Sequence, residues 1–493
     1  MKEGNAMNEN KGGSRIITAL SAFFTGVGNG LSRFGTAFVK GDVFVKLSVL
    51  WWGAGYVRRR QYIKALLMTA LEAAIILFSV KIGGKYVPKF NTLGTVQAEK
   101  VFNMATMRNE WNDYDNSFMI LLMSLFSFVV WIFSLVVLMK NTESCYRLQQ
   151  AEERGEHINT FREDFHSLIE EKFYVTMLTL PILGIVIFTV IPILLLIFVA
   201  FTNYDQNHMP PNQLFTWVGL RNFTNLLGGG GMTVTFGYAF VRVLAWTLVW
   251  AFFATFTTYF GGIFLSLLLN SKRTRVPKFW RLLFVITIAV PQFVSLLLVR
   301  NFFSNGGIVN TICANIGLTG FLRSAGLIST SYIPFLSAPG WAHVMIILIN
   351  IWIGMPYQML ISTGVLLNLP ADQLESARID GASPFQQFRY ITMPYLLFVT
   401  GPTLVTDFVK NINNFNVIYL LSSGVYTTTN QAMANSQAKE VDLLVTWLFT
   451  LTQDYYNYKM AAVIGIVVFI VCAVFTLIAF NFMISGDKEG VYN

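Results

Sequence analysis

Residues 175–201 read VTMLTLPILGIVIFTVIPILLLIFVAF, a run without a charged side chain. The hydrocarbon core of a bilayer is about 30 Å thick, and a helix needs roughly 20 apolar residues to cross it. This run is long enough, so it predicts a transmembrane helix. Comparable runs are found at 62–82, 118–139, 243–270, 281–303, 341–367, 391–421 and 459–484.

The composition of the whole chain agrees with these runs. Of its 493 residues, 54% are hydrophobic and only 12% are charged, whereas soluble domains carry roughly 25% charged residues. No segment shows the strand alternation of a membrane barrel. We therefore predict an all-α integral membrane protein with about eight transmembrane helices in a lipid bilayer.

The basic residues indicate how the chain is oriented. A net charge of +9 is compatible with nucleic-acid binding, but the basic residues form short clusters beside apolar runs, as in cytoplasmic loops. We predict no nucleic-acid partner. The clusters lie on one side of the predicted spans, at 58–64, 140–172 and 272–281. This asymmetry predicts that both termini are cytoplasmic. The loop 83–117 on the opposite side is an exception, with Lys85, Lys89, Lys100 and Arg108.

The N-terminal segment differs from the predicted spans. Its apolar residues between 16 and 57 are interrupted by Gly26, Gly28, Gly30, Lys40, Asp42 and Lys46. We therefore predict that residues 1–60 form interfacial or cytoplasmic helices. The run Gly228–Gly231 predicts a flexible connection on the outer face.

Motifs of covalent chemistry are missing from the sequence. Cys145, Cys313 and Cys472 are scattered and have no metal-ligand spacing. There is no GxxxxGK[ST], HExxH or GxSxG motif. We predict no catalytic residue, no metal site and no cofactor in this chain. If the chain moves a solute uphill, the energy must come from elsewhere.

A helix–turn–helix is predicted between the sixth and seventh spans, at 368–390. Leu369-Pro370 ends the preceding helix, because proline cannot continue one. The pattern from Ala371 to Asp380 is helical, and Gly381 allows the turn that follows. Ser383 and Pro384 then form an N-cap and a first helical position.

This loop resembles the coupling loop of bacterial ABC importer permeases. That family has Glu-Ala-Ala, three residues, Gly, nine residues, Ile, one residue and Leu-Pro. This chain has the same spacing, with Ser376 in place of one alanine and Met393 in place of the leucine. The resemblance implies that the loop binds an ATPase subunit through Glu375, Ser376, Ala377, Asp380 and Gly381.

The resemblance is to the maltose and maltodextrin type of larger permease subunit in the bacterial plasma or inner membrane. It implies a type I permease core of six helices at 175–484, two accessory helices at 61–174 and a cytoplasmic tail at 485–493. It also implies a second homologous permease and two ATPase subunits, which hold ATP and Mg²⁺. An extracellular or lipid-anchored solute-binding protein would deliver an oligosaccharide.

Polar residues in two apolar spans indicate where a sugar would bind. Asn411, Asn413 and Asn414 lie in an apolar span, where amides face a cavity or hydrogen-bond to another helix. Asn donates and accepts hydrogen bonds, which suits sugar hydroxyls. Tyr357 offers an aromatic face, and Gly354 allows close approach to the backbone. The alternative for each residue is a role in helix packing.

The resemblance adds positions to this set. The family's maltose-contacting positions correspond here to Ile353, Gly354, Tyr357, Asp407, Lys410, Asn411 and Asn414. Asp407 and Lys410 depart from the serine and aromatic residue that are usual there. Three residues apart, they share a helix face and are able to form an ion pair. This would be either a structural pair or part of a more polar site for another glycan.

Two other functions remain open from the sequence. An ion-coupled secondary sugar transporter would use buried charges, with Glu72, Asp407 and Lys410 as candidates. For Glu72, a neutral or helix-paired carboxyl is the alternative to a proton relay. A membrane enzyme acting on lipid-linked sugars would need an acidic cluster at the membrane surface, which the sequence does not show.

Overall fold

The computed structural model describes residues 11–104, 107–227, 234–271 and 273–486. It is helical apart from one two-stranded hairpin and an isolated bridge in this described part. The chain divides into two compact units between Val218 and Gly219. The predicted Gly228–Gly231 connection and nearly all of the predicted 485–493 tail lie outside the described residues. The predicted domain boundaries at 60/61, 174/175 and 484/485 stay predictions.

The described residues of the N-terminal unit form nine α-helices and the hairpin. Its helices are α1 Lys11–Lys40, α2 Val43–Leu47, α3 Ala54–Arg58, α4 Tyr62–Phe78, α5 Gly84–Tyr86, α6 Ser117–Glu153, α7 Phe161–Ile169, α8 Phe173–Ile185 and α9 Ile191–Val199. A π-turn at Ser79–Gly83 joins α4 to α5, one at Val186–Val190 joins α8 to α9, and a 3₁₀ turn covers Val87–Lys89. The strands β1 Lys100–Asn103 and β2 Arg108–Trp111 pair antiparallel. Helix α1 is continuous through Gly26, Gly28 and Gly30, and α1 to α3 agree with the predicted helices of this segment, whose position relative to a membrane stays a prediction.

The C-terminal unit contains the remaining helices. They are α10 Arg221–Leu227, α11 Val234–Asn270, α12 Pro277–Ala289, α13 Gln292–Phe302, α14 Ile308–Asn315, α15 Leu318–Ser324, α16 Pro339–Leu367, α17 Ala371–Ile379, α18 Pro384–Gln387, α19 Met393–Ile412, α20 Phe415–Ser422, α21 Gln431–Asn435, α22 Leu444–Gln453 and α23 Tyr458–Gly486. A π-turn at Phe388–Thr392 joins α18 to α19.

Six of the described helices are long and apolar enough to cross a membrane. They are Tyr62–Lys89, Ser117–Glu153, Phe173–Val199, Phe236–Asn270, Pro339–Leu367 and Tyr458–Asn481. They coincide with the first four, the sixth and the eighth predicted spans. The prediction of an all-α membrane protein is confirmed.

The fifth predicted span, 281–303, is not one continuous helix. It consists of α12 and α13, which are bent by 94° relative to each other. Val290 between them is extended, as expected for a residue that precedes proline, and Pro291 has no N–H to donate. The sequence pattern showed the apolar length of this span but not its bend.

The seventh predicted span, 391–421, is also interrupted. Here α19 ends at Ile412, and the side chain of Asn414 accepts a hydrogen bond from the Val417 N–H to cap α20. Asn413 lies between the two helices and leaves the helical conformation. Asp407 and Lys410 make α19 less apolar than the other spans.

The close packing of α11 and α16 depends on glycine. A Cβ at Gly262 would lie 2.8 Å from the backbone carbon of Gln358, and a Cβ at Gly354 would lie 2.8 Å from Thr258 Cγ2. Small residues allow membrane helices to approach this closely. The fully buried Trp250 of α11 extends this interface into a hydrophobic cluster with α16 and α20.

Candidate functional site

A cavity of about 550 Å³ lies in the C-terminal unit where the interrupted helices meet. Its walls come from α11, α16 and α19, from the α12–α13 bend and from the break before α20. Polar side chains dominate the part contributed by α19 and this break. Amide and hydroxyl groups inside a membrane segment usually face a cavity or another helix. Here Asn411 lines the cavity and also hydrogen-bonds to Thr255 of α11.

Every predicted sugar-contacting residue lines this one cavity. Ile353, Gly354 and Tyr357 come from α16, and Asp407, Lys410, Asn411 and Asn414 come from α19 and the break that follows it. The structure thus brings together two groups of residues about fifty positions apart in sequence. Direct contact between these residues and a substrate stays a prediction.

Tyr357 and Gly354 have different roles in the cavity wall. The side chain of Tyr357 is 52% exposed, so its ring can stack against an apolar sugar face. Gly354 lines the cavity. The space that a Cβ at this position would take is already occupied by the Thr258 side chain of α11. Glycine at position 354 therefore allows the close packing of α11 against α16, in addition to any approach of a ligand to the backbone.

The asparagines are joined in a hydrogen-bond network. Asn411 Nδ2 donates to Thr255 Oγ1 at 2.9 Å, and Asn414 Nδ2 donates to Asn411 Oδ1 at 3.3 Å. The indole N–H of Trp250 donates to the backbone oxygen of Asn411 at 3.0 Å. An amide has two N–H donors and two acceptor lone pairs, so each asparagine that packs helices retains capacity for a ligand.

The possible ion pair between Asp407 and Lys410 is not formed. Instead, Gln358 Nε2 of α16 donates to Asp407 Oδ2 at 2.5 Å. Lys410 is exposed at the cavity and has no ion-pair partner in the described part of the chain. The sequence prediction considered only the helix that carries both residues, whereas the carboxylate finds its donor on a neighbouring helix.

Several cavity residues were missed by the sequence analysis. Asn350 and Gln358 line the wall formed by α16, and a search for amides in apolar runs, as applied to Asn411, would have found them. Gln292 and Ser295 belong to the start of α13. Their place at the cavity depends on the bend at Pro291, which hydropathy does not reveal.

The predicted helix–turn–helix is present at 371–387. Gly381 has φ +80°, and the Ala382 N–H donates to the Ala377 oxygen at 2.9 Å, which is the geometry of a glycine-terminated helix. Ser383 and Gln386 form a reciprocal capping box at the start of α18.

The side chains of this loop are open to a partner. Glu375, Ser376, Asp380 and Gly381 are exposed, and Ala377 is half-buried. The structure places these residues on α17 and the turn that ends it. Their role in binding an ATPase stays a prediction.

A polar segment outside the spans surrounds Glu440 and Asp442. The Glu440 carboxylate accepts hydrogen bonds from the Tyr426 hydroxyl and from the backbone N–H groups of Thr429 and Asn430. Asp442 is buried and accepts from the Lys439 N–H and the Thr446 hydroxyl. Burial raises the pKa of Asp442 to about 6. This segment supports a second cavity of about 420 Å³ beside α11.

Glu72, the acid inside the first predicted span, is hydrogen-bonded. Its Oε2 accepts the backbone N–H of Trp52 at 2.8 Å, and Asn141 Nδ2 donates to the Trp52 oxygen at 3.0 Å. This arrangement favours the structural alternative for Glu72, because its carboxylate holds a neighbouring segment of the chain.

Comparisons with known proteins agree with this architecture. Residues 259–484 match the family model described as binding-protein-dependent transport system inner membrane component. The chain is 32% identical over 417 residues to the galactooligosaccharides transport system permease protein GanP of Bacillus subtilis (strain 168), covering 84% of this chain and 91% of GanP. It is 29% identical over 442 residues to the maltodextrin transport system permease protein MalC of Streptococcus pneumoniae serotype 4, covering 89% and 95% respectively.

A solved structure shares the fold. A chain of a bacterial ABC transporter involved in the import of the acidic polysaccharide alginate aligns with a TM-score of 0.50 and 21% identity, covering 66% of this chain and 99% of that chain.

The helices and the cavity thus define a multi-pass membrane transport protein. The chain belongs to the family of binding-protein-dependent transport permeases, the membrane subunits of ABC importers. These matches give no support to the ion-coupled alternative.

Proposed function

We propose that this chain is the larger permease subunit of an ATP-driven importer that moves an oligosaccharide through the cavity between α16 and α19. The observation that carries the proposal is the convergence of all the predicted sugar-contacting residues on that cavity. The exposed Tyr357 ring, the amides and the exposed ammonium group of Lys410 match the apolar faces and hydroxyls of a sugar. The relatives named for maltodextrin and galactooligosaccharides support this substrate class.

The exposed loop supports an ATPase partner. Ile379, Phe385 and Tyr390 are 86%, 69% and 71% exposed, and apolar side chains grouped in this way usually mark a protein contact. Glu375 adds a charge that can pair with a basic group on the partner. In this proposal two ATPase subunits hydrolyse ATP with Mg²⁺, and the present chain needs no cofactor of its own.

The remaining partners follow from the same proposal. A second, homologous permease completes the pathway, and an extracellular or lipid-anchored solute-binding protein delivers the sugar. Both termini lie in the cytoplasm of the bacterial cell, on the side of the ATPases. The basic clusters in the loops on that side support this orientation.

The first experiment purifies the membrane complex from cells that carry a tagged chain. An ATPase and a second permease should accompany the wild type. The ATPase should be lost from Glu375→Ala combined with Gly381→Pro and retained with Glu171→Ala, which removes an exposed acid from another loop. Purification of the wild type alone, with sugar uptake driven by an ion gradient, would refute the proposal.

The second experiment measures uptake of labelled maltotriose and a galactotriose by the complex in proteoliposomes. Tyr357→Ala and Asn414→Ala should each reduce uptake at least tenfold, since loss of hydrogen bonds or stacking worth about 1.4 kcal/mol changes a rate by that factor. Tyr174→Ala, an exposed tyrosine at the start of α8, should leave uptake unchanged. Equal effects of Tyr174→Ala and Tyr357→Ala would contradict the assigned cavity.

A further inference from the structure

An apolar surface on the N-terminal unit is exposed in the part of the chain that the structure describes. Val27, Leu31 and Phe38 lie at helical spacing on one face of α1 and are 46%, 53% and 43% exposed. Val43, Leu47 and Leu50 continue the surface through α2 and the turn that follows, and Leu50 is 80% exposed. We call these six residues the N-terminal apolar surface. In a soluble environment a patch of this kind marks a binding site for a protein or a membrane.

Part of this surface forms a groove. A cavity of about 400 Å³ is lined by Phe38, Val43, Lys46, Leu47, Val49 and Leu50. Among the described residues that line it, Lys46 alone is charged. A groove with apolar walls and one ammonium group suits a ligand that joins a hydrocarbon chain to an anionic head.

Hydrogen bonds fix this segment beside the first two spans. Trp51 Nε1 donates to Thr69 Oγ1 at 2.8 Å, and Trp52 binds Glu72 and Asn141 through its backbone. Asn141 follows Lys140, the first charge after the apolar run of α6. Tryptophan and lysine at the end of an apolar helix are typical of the bilayer–water interface, so the N-terminal apolar surface meets the membrane at headgroup depth.

The charges around the surface are basic. Asp42 is the only acid between residues 11 and 60, and it is already paired with Arg59 at 2.8 Å. Lys40, Lys46 and Arg60 are exposed and have no ion-pair partner among the described residues. Basic groups next to an apolar helix face are the combination that binds anionic lipid surfaces.

We propose that the N-terminal apolar surface is a binding site for an anionic phospholipid of the bilayer, with acyl carbons in the groove between Phe38 and Leu50 and the headgroup phosphate at Lys46. The site is independent of the sugar cavity and of the coupling loop. It makes α1 and α2 a membrane-surface anchor that is continuous with the first two spans.

One test measures where the surface lies. Nitroxide labels are placed at Leu31→Cys, Leu50→Cys and Thr36→Cys in the full chain carrying Cys472→Ala, because Cys145 and Cys313 are buried. Thr36 is exposed on another face of α1, and Phe469→Cys on α23 provides a lipid-facing reference. In phosphatidylglycerol-containing nanodiscs, oxygen should relax the labels at 31 and 50 more than a water-soluble nickel complex does, though less than it relaxes the label at 469, and the nickel complex should relax the label at 36 more than oxygen does. Nickel accessibility at 31 and 50, or protection from both reagents by a protein, would overturn the proposal.

A second test addresses the headgroup. Native mass spectrometry of the purified chain counts retained phosphatidylglycerol and phosphatidylcholine. Lys46→Gln should reduce retention of phosphatidylglycerol about fivefold, the effect expected of one lysine at an anionic surface, and should leave phosphatidylcholine unchanged. Lys100→Gln, an exposed lysine of the hairpin, is the matched control. Unchanged phosphatidylglycerol retention with Lys46→Gln would overturn the assignment of the phosphate to Lys46.

Discussion

The side-chain amide of Gln358 donates a hydrogen bond to the carboxylate of Asp407 and so ties α16 to α19 at the wall of the cavity. A hydrogen bond to a charged acceptor is stronger than one between neutral groups. It fixes the position of Asp407 and leaves the ammonium group of Lys410, one turn further along α19, available to a ligand. Gln358, Asp407 and Lys410 thus add a hydrogen-bonded carboxyl group and an ammonium group to the amides and hydroxyls that line the cavity.

Removal of the amide should disturb the site. Gln358→Met retains the side-chain length but removes the donor to the half-buried Asp407 carboxylate, and the net loss of one such hydrogen bond is about 1 kcal/mol. We expect a lower thermal unfolding temperature and weaker sugar uptake. Asp407→Asn keeps an acceptor for Gln358 and should be less destabilising. If Gln358→Met unfolds at the wild-type temperature, the hydrogen bond does not stabilise the cavity wall.

The α11–α16 contact should not tolerate a side chain at Gly262. Gly262→Ala places a Cβ within 2.8 Å of the Gln358 backbone, and overpacking of this kind costs about 1–3 kcal/mol. Gly364→Ala on α16 is the matched control, because nothing lies within 4 Å of the added Cβ, and alanine favours a helix. Thermal unfolding of the purified variants checks the difference, and equal unfolding temperatures would contradict the packing described here.

The conformation of Gly381 should matter for partner binding. With φ at +80°, an alanine is strained by about 1–2 kcal/mol, whereas asparagine adopts this conformation more readily. We expect Gly381→Ala to weaken binding of the ATPase subunit and Gly381→Asn to retain most of it. Titration of the purified ATPase against each membrane variant measures the affinity. Identical affinities of the two variants would show that the backbone conformation is not required.

Asp442 should make stability depend on pH. Burial raises its pKa from 3.8 to about 6, so between these values the folded chain keeps a proton that the unfolded chain releases. The contribution of Asp442 to the free energy of unfolding is therefore greatest below about pH 4 and is lost as the pH rises through about 6. Asp442→Asn should flatten this part of the curve, and Asp113→Asn, an exposed acid, should not. Thermal unfolding from pH 4 to 8 provides the measurement, and parallel curves for Asp442→Asn and the wild type would contradict the assignment.

Local signals in the sequence were sufficient for the loop at 368–390. Pro370, Gly381 and Ser383 each act on the backbone within a few residues, and the structure has the helix end, the turn and the cap at these positions. The resemblance to the permease family supplied the cavity residues Ile353, Gly354, Tyr357, Asp407, Lys410, Asn411 and Asn414, and all of them line the cavity.

Other features depend on contacts that a linear pattern does not contain. Hydropathy averages over a window, so it missed the bend at Pro291 and the break at Asn413. The hydrogen-bond donor to Asp407 is Gln358, which lies 49 residues away in sequence. The two residues meet because α16 packs against α19, and the spacing of residues along α19 does not reveal this contact. The hairpin of β1 and β2 also went unpredicted, because its two four-residue strands are too short to give a clear alternating pattern.

The order of elements around the loop has a mechanical consequence. Tyr357 is about 15 Å along α16 from Leu367, where that helix ends, and Asp407 is about 21 Å along α19 from Met393, where that helix begins. The loop between these ends is therefore connected through α16 to one wall of the cavity and through α19 to another. The two connections differ in stiffness, because the loop enters α19 through a π-turn at Phe388–Thr392, whereas α16 ends at Leu367 without one. When this loop is displaced, the cavity wall formed by α16 should move with it more directly than the wall formed by α19. The two walls should therefore move by unequal amounts.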